Sequence, residues 1–323
     1  MTTEPGLRPL GRSGLPVSRI GLGLAALGRP AYINLGHGDD FGARTDVAAL
    51  ERNAHTVLDA AYAAGIRYVD AARSYGKAEE FLASWLQRRG LAPGAVTVGS
   101  KWGYTYTADW RVDAEVHEVK DLSLATLRRQ LAESQGLLGP HLRLYQIHSA
   151  TEDSGVLGDH SVLDELAGLR ETGLAIGLTV TGPSQRETIE RALDVRIFDT
   201  VQATWNLLER SASPALAAAH AAGLGVIVKE ALANGRLTAR GGLASLRESA
   251  ERHHSTPDAL ALAAALSQPW AAVVLSGAST VDMLRSNLEA LELELDAELA
   301  PELAQLAEDP ARYWEERSAL AWN

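Results

Sequence analysis

Short runs of β-branched and aliphatic residues alternate along the chain with longer segments whose apolar positions recur every three or four residues. The runs fall at residues 19–22, 67–70, 95–99, 142–147, 175–179, 200–202, 225–228 and 273–275. Most are continuously apolar, the pattern of strands covered on both faces. The segments between them, at residues 48–64, 79–89, 121–135, 162–172, 185–193 and 214–222, space their apolar residues as amphipathic helices do. Asp121 or Ser123 is placed to cap one helix, Ser184 precedes another, and Gly65 and Gly223 stand where a C-terminal glycine belongs.

Eight strand–helix units in 323 residues average about 40 residues each, which predicts an α/β protein with a closed (β/α)8 TIM barrel, one domain over residues 1–323. The alternative, an open doubly wound sheet, needs a glycine-rich dinucleotide turn after its first strand, and none is present. Two stretches interrupt the alternation. Residues 25–45 form a long, Gly- and Asp-rich first βα loop containing Tyr32, Asn34 and His37. Beyond Asp296 a largely polar tail carries Tyr313, Trp314 and Trp322, a composition suited to folding back over one barrel face.

Composition narrows the function classes. With 46% hydrophobic and 22% charged residues, the chain is globular and neither disordered nor collagen-like. Thirty Lys and Arg against 41 Asp and Glu give a net charge of −11 without a basic run, which argues against nucleic acid and anionic membranes as partners. The absence of cysteine excludes disulfides, iron–sulfur clusters, thiolate metal sites and a cysteine nucleophile. Residues 259–278 are uncharged and long enough to span a bilayer, but Ser267-Gln268-Pro269 divides them into an Ala/Leu-rich helix and a short strand. Residues 1–12 lack the basic-then-apolar order of a signal peptide, so the expected location is cytoplasmic. His253-His254 has no second ligand pair at useful spacing, and no metal is expected.

In a barrel, reactive groups gather at the C-terminal ends of the strands. Asp70 ends the second run, Lys101 the third and His148 the fourth, and Tyr75 follows Asp70 in a short turn. Singly, each has an ordinary structural role. Together they place a carboxylate, an ammonium, an imidazole and a phenol around one mouth, a set suited to proton transfer at a carbonyl oxygen. A free tyrosine is too weak an acid for efficient proton exchange at neutral pH, and a neighbouring ammonium such as that of Lys101 favours its phenolate.

The segment from Gly65 through Asp70 and Tyr75 to Gly76, with Glu79 following, resembles the signature of the aldo-keto reductases, and Lys101 and Ile147-His148 match that family's other two catalytic positions. The resemblance covers nearly the whole chain. It implies a nicotinamide cofactor bound without a Rossmann motif and hydride transfer between it and a carbonyl compound or alcohol. Tyr75 would then be the general acid and base, Lys101 and Asp70 would tune it, and His148 would orient the substrate. The same resemblance implies that Thr179 and Gln202 contact the carboxamide, that Trp205 stacks on the nicotinamide, and that Leu232, Asn234 and Arg236 surround the pyrophosphate. Gly277, Ala278, Ser279, Met283, Ser286 and Asn287 would form the adenosine site.

Departures from the family pattern matter. Val180 lacks an amide, Glu230 stands where serine is common, and Gly277 and Met283 replace a Lys and an Arg that hold the 2′-phosphate in several members. NADP(H) is what the resemblance implies, with Lys229, Arg236 or Arg285 as substitute cations for its phosphate; Met283 leaves NAD(H) open. Tyr32, Trp102 and Tyr104 are candidates for lining the substrate pocket, and packing of the loops on the barrel rim is the alternative reading. A redox-sensing binding module and a redox-neutral isomerase remain alternatives on the same scaffold. A metal hydrolase is disfavoured because the early strand ends carry no His-x-His pair.

Overall fold

The eight apolar runs form eight parallel strands that close into a barrel in the computed structural model, which describes residues 6–42, 45–296 and 298–323. Residues 1–5, 43, 44 and 297, parts of the N-terminal stretch, first loop and tail read above, lie outside the described residues. The strands are β1 (Ile20–Gly23), β2 (Tyr68–Asp70), β3 (Thr97–Trp102), β4 (Leu142–Ala150), β5 (Ala175–Val180), β6 (Thr200–Thr204), β7 (Gly225–Lys229) and β8 (Val273–Ser276). Pairing of Val274 with Ile20 and of Ser276 with Leu22 closes the ring.

The helices between strands turn their apolar stripes onto the barrel: Leu50, Val57 and Leu58 from Val47–Ala63, and Phe81, Leu82, Trp85 and Leu86 from Ala78–Arg89. Ser123 is the cap of Leu124–Leu138, accepting the amide of Thr126, while Asp121 supports the turn by accepting from the amide of Ser123. The uncharged stretch near residue 260 is a helix, Pro257–Leu266, followed by β8. No helix among the described residues is long and apolar enough to cross a membrane.

One end of the barrel is closed. Arg8–Pro9 pairs antiparallel with Pro16–Val17, and Leu10, Leu15 and Val17 pack beneath Tyr68, Leu144, Ile227 and Val273. At the other end stand the longer loops. The first contains a short helix, His37–Phe41, and the loop after β3 carries a hairpin, Tyr104–Tyr106 with Glu118–Lys120. The tail forms helices Leu299–Ala304 and Pro310–Ser318, burying Tyr313 and Trp314 against Leu207, Leu208 and Leu260.

β3 and β4 run longer than their apolar runs predict. Their extra residues include Ser100, Lys101, His148 and Ser149, polar positions that interrupt the pattern: Lys101, His148 and Ser149 serve the site, and Ser100 turns the other way to bond Glu79.

Candidate active site

The loop from Ala71 to Gly76 is held from three sides. Its backbone follows β3, with the amide of Ala71 donating to Gly99 and that of Arg73 to Lys101. The first loop presses against it at Gly28, where a Cβ would meet the carbonyl oxygen of Tyr75 at 2.2 Å, so a side chain there would displace Tyr75. Beneath it the buried Glu79 accepts from Arg73 Nη1 (2.6 Å), Ser100 Oγ (2.6 Å) and Ser134 Oγ (2.7 Å).

Asp70, Tyr75, Lys101 and His148 come together at the open end. Asp70 Oδ1 accepts from Tyr68 Oη (3.0 Å), Gln146 Nε2 (3.2 Å) and Gln202 Nε2 (3.2 Å), and its Oδ2 pairs with Lys101 Nζ. Lys101 is buried below the cavity; its Nζ also donates to Ala71 O (3.0 Å) and to Tyr75 Oη (3.3 Å). The Tyr75 and His148 rings meet edge to face with centroids 5.5 Å apart. His148 owes its orientation to a bulge: the β4–β5 register shifts between Ile147 and Ala150, Ser149 takes a φ of 56°, and its amide donates to Thr179 Oγ1 (2.7 Å).

Burial sets the protonation states. Desolvation, reinforced by the Asp70 carboxylate, pushes the Tyr75 phenol well above its ordinary value, and the nearby Arg29 opposes that shift. His148 is driven well below its ordinary value by burial and then by the surrounding cations Lys101, Lys229, Arg29 and Lys120. At neutral pH the site therefore presents a phenol that keeps its proton and a neutral imidazole. Nδ1 of that imidazole lies 3.5 Å from Ser74 Oγ, leaving Nε2 without a partner among the described residues.

A cavity of about 730 Å³ runs from this cluster across the barrel mouth. Asp70, Tyr75, His148, Thr179, Gln202, Leu232, Asn234, Gly277, Ala278, Met283, Ser286 and Asn287 line it, as do Tyr32 and Tyr104. Lys101 lies beneath this lining, and Trp102, Trp205, Arg236 and Ser279 are not part of it. Trp205 lies in the core, 1% exposed, with Nε1 donating to Ser213 Oγ (2.8 Å) and its ring against Trp270, so no face is free for stacking. Trp102 is likewise fully buried among core side chains. Arg236 pairs with Glu308 and Glu316 and fastens the tail to the loop after β7. Ser279 donates to Asp40 Oδ2 (2.6 Å), tying the first loop down.

The location of Trp205 yields a test. Trp205→Ala is expected to cost about 3–5 kcal/mol of stability in denaturant unfolding, as truncation of a buried tryptophan does, with dinucleotide affinity unchanged. Weaker affinity at unchanged stability would return Trp205 to the site.

The sequence reading does not single out Arg29, Glu118 or Arg317, yet all three line the cavity. Arg29 is 2% exposed and pairs with Glu118 (3.0 Å). Arg317 forks onto Glu230, which holds a φ of 54° at the end of β7, and beside it Lys229 donates to Thr204 Oγ1 (2.9 Å). Burial lowers Lys229 to about 8, while Arg317 and Lys229 outweigh burial and hold Glu230 at about 2. An isolated arginine early in the first βα loop was the signal available for Arg29. Trp322 also reaches the cavity, stacked on His117 with centroids 4.1 Å apart, and Asn323 pairs its backbone with Tyr32.

A barrel with a phenol, an ammonium, a carboxylate and an imidazole beside a large cavity at its mouth is built for proton transfer, and comparison with known proteins gives its class. The profile of the Aldo/keto reductase family matches residues 19–308. The uncharacterized oxidoreductase YrpG of Bacillus subtilis is 27% identical over 97% of this chain and 98% of its own. Protein tas of Escherichia coli is 26% identical over 78% of this chain and 88% of its own. The holo form of aldo-keto reductase AKR11C1 from Bacillus halodurans shares the fold, with a TM-score of 0.73 at 24% identity, covering 94% of this chain and 96% of that one. The chain belongs to the aldo/keto reductase family, whose members are NAD(P)-dependent oxidoreductases.

Proposed function

We propose that this protein interconverts a carbonyl group and an alcohol with NAD(H), using Tyr75 as proton donor and acceptor. The observation that carries this reading is the phenol of Tyr75 beside the cavity, with Lys101 Nζ 3.3 Å from its oxygen and Asp70 holding that lysine. The cavity's donors suit a dinucleotide. Thr179 and Gln202 would take the carboxamide, and the backbone amides of Leu232 and Asn234 would face the pyrophosphate. Gly277, Ala278, Met283, Ser286 and Asn287 would hold the adenosine end.

The bound cofactor would supply the hydride in reduction and take it back in oxidation. Tyr75 gives its proton to the substrate oxygen, and Lys101 stabilises the phenolate left behind. Neutral His148 donates a hydrogen bond to the same oxygen from Nε2. Tyr32, Tyr104 and Trp322 offer aromatic faces and Ser149 a hydroxyl, a lining suited to an aldehyde, ketone or sugar-like alcohol. A redox sensor or an isomerase would use the same cavity, but the intact set of four favours net hydride transfer.

The preference for NAD(H) over the family's NADP(H) rests on the adenosine end. Among the described residues there, Asp258 and Asp282 line the cavity and no free cation does. Asp258 accepts from Ser286 Oγ and Asn287 Nδ2, both at 2.8 Å. Arg240 is engaged by Asp40 and by the carbonyls of Leu35 and Gly36, and Arg285 points into solvent beside Asp282. A 2′-phosphate would meet carboxylate and no arginine free of other partners among the described residues. Titration by tryptophan fluorescence is expected to give NADH an affinity at least about tenfold above that of NADPH. Tighter NADPH binding would show that Arg240 leaves Asp40 for the phosphate, and binding of neither would remove the cofactor reading. Consumption of NADH with a panel of aldehydes, ketones and hydroxyaldehydes then tests turnover.

A further inference from the structure

The ammonium of Lys101 is largely committed to Asp70. Tyr75 thus sits beside an ion pair, and the carboxylate of that pair raises its pKa. A second cation lies against the same ring. The guanidinium of Arg29 is 5.2 Å from the Tyr75 ring centroid, and it is enclosed by Tyr32 (5.1 Å) and Trp322 (4.7 Å). Its Nη1 donates to Ser74 O (3.1 Å), the carbonyl of the residue preceding Tyr75, and pairs with Glu118 Oε2 (3.0 Å).

The two members of that pair are unequally buried. The Arg29 side chain is 3% exposed and that of Glu118 is 23%. Water screens the carboxylate more than the guanidinium, so the pair presents a net positive field to Tyr75. A cation over a phenol ring stabilises the phenolate more than the phenol, because a full negative charge is added to the attraction of the ring.

We infer that Arg29 is a positioning residue for the acid–base tyrosine, a second cation that makes the Tyr75 phenolate accessible, with Glu118 as the counter-charge that sets its strength. The inference rests on the acid–base role proposed for Tyr75. The charged and titratable groups facing this ring are Tyr68 and Asp70 from β2, Lys101 from β3, His148 from β4, Arg29 and Tyr32 from the first loop, Glu118 from the hairpin, and Glu230 with its partners Lys229 and Arg317. Removing Arg29 or Glu118 leaves the Asp70–Lys101 pair and His148 in place.

The test uses opposite signs. Carbon-13 NMR of the full chain with tyrosine labelled at Cζ, the Tyr75 signal being assigned by its loss in Tyr75→Phe, reads the phenol directly without substrate. Glu118→Gln is expected to lower the Tyr75 midpoint by about one pH unit, and Arg29→Met to raise it beyond the wild-type value. Arg29→Lys should restore most of the wild-type behaviour. Both variants break the same ion pair, so a merely structural role would move the midpoint in one direction for both. Shifts of the same sign, or none, overturn the inference. Should Arg29→Met fail to fold, the sign for Glu118→Gln decides alone, since that variant keeps Arg29 on Ser74. Full turnover by Tyr75→Phe would instead overturn the proposed function, a separate outcome.

Discussion

Tyr75→Phe is expected to lower turnover by about 100-fold or more while dinucleotide affinity stays as it was. The substitution removes one oxygen. The ring keeps its edge-to-face contact with His148 and its place against Arg29, so the cavity retains its shape. What disappears is the proton source 3.3 Å from Lys101 Nζ. Because the phenol is held well above its ordinary value, it stays protonated across the neutral range, which serves reduction. Oxidation needs the phenolate, so its rate should climb as pH rises towards the phenol's pKa while reduction declines. Steady-state rates in both directions against pH, with fluorescence titration of the dinucleotide, check each part. Undiminished turnover in the variant would take the acid–base role away from Tyr75.

The second large effect concerns the frame under that tyrosine. Glu79→Ala is expected to destabilise the protein by about 3–5 kcal/mol, the range for breaking a buried ion pair from one side. Glu79 is 1% exposed and ties together Arg73 of the Tyr75 loop, Ser100 of β3 and Ser134 of the Leu124–Leu138 helix. Truncation would leave two buried hydroxyls without their acceptor and Arg73 with only the partly exposed Glu133. Urea unfolding should show a lower midpoint with an unchanged slope. An unchanged midpoint would mean that the loop is held by its backbone pairing with β3 alone.

Much of this architecture was legible in the chain because burial on both faces leaves an unmistakable trace. Continuous runs such as 225–228 and 273–275 admit few other readings, and the eight of them fixed the barrel. Asp70, Lys101 and His148 could be placed at one mouth because each ends such a run. Side-chain direction was less accessible. Trp205 follows β6 at a position where a ring facing the cofactor was expected, and only the folded backbone shows it turned towards Trp270. Ion pairs formed across the mouth left no local signal. Arg29 and Glu118 are 89 positions apart, Glu230 and Arg317 are 87 apart, and nothing near either member announces its partner.

The hairpin beneath the barrel has a bearing on how the protein could change. Its packing under Tyr68 and Leu144 covers that end of the barrel, and the cavity lies at the other, bordered by the first loop, the loop after β7 and the tail. Stability and selectivity are thereby assigned to opposite ends of the molecule. Variation at the mouth can retune which compounds are admitted without unsettling the foundation, and an evolutionary or laboratory search for new substrates has those three segments as its natural territory.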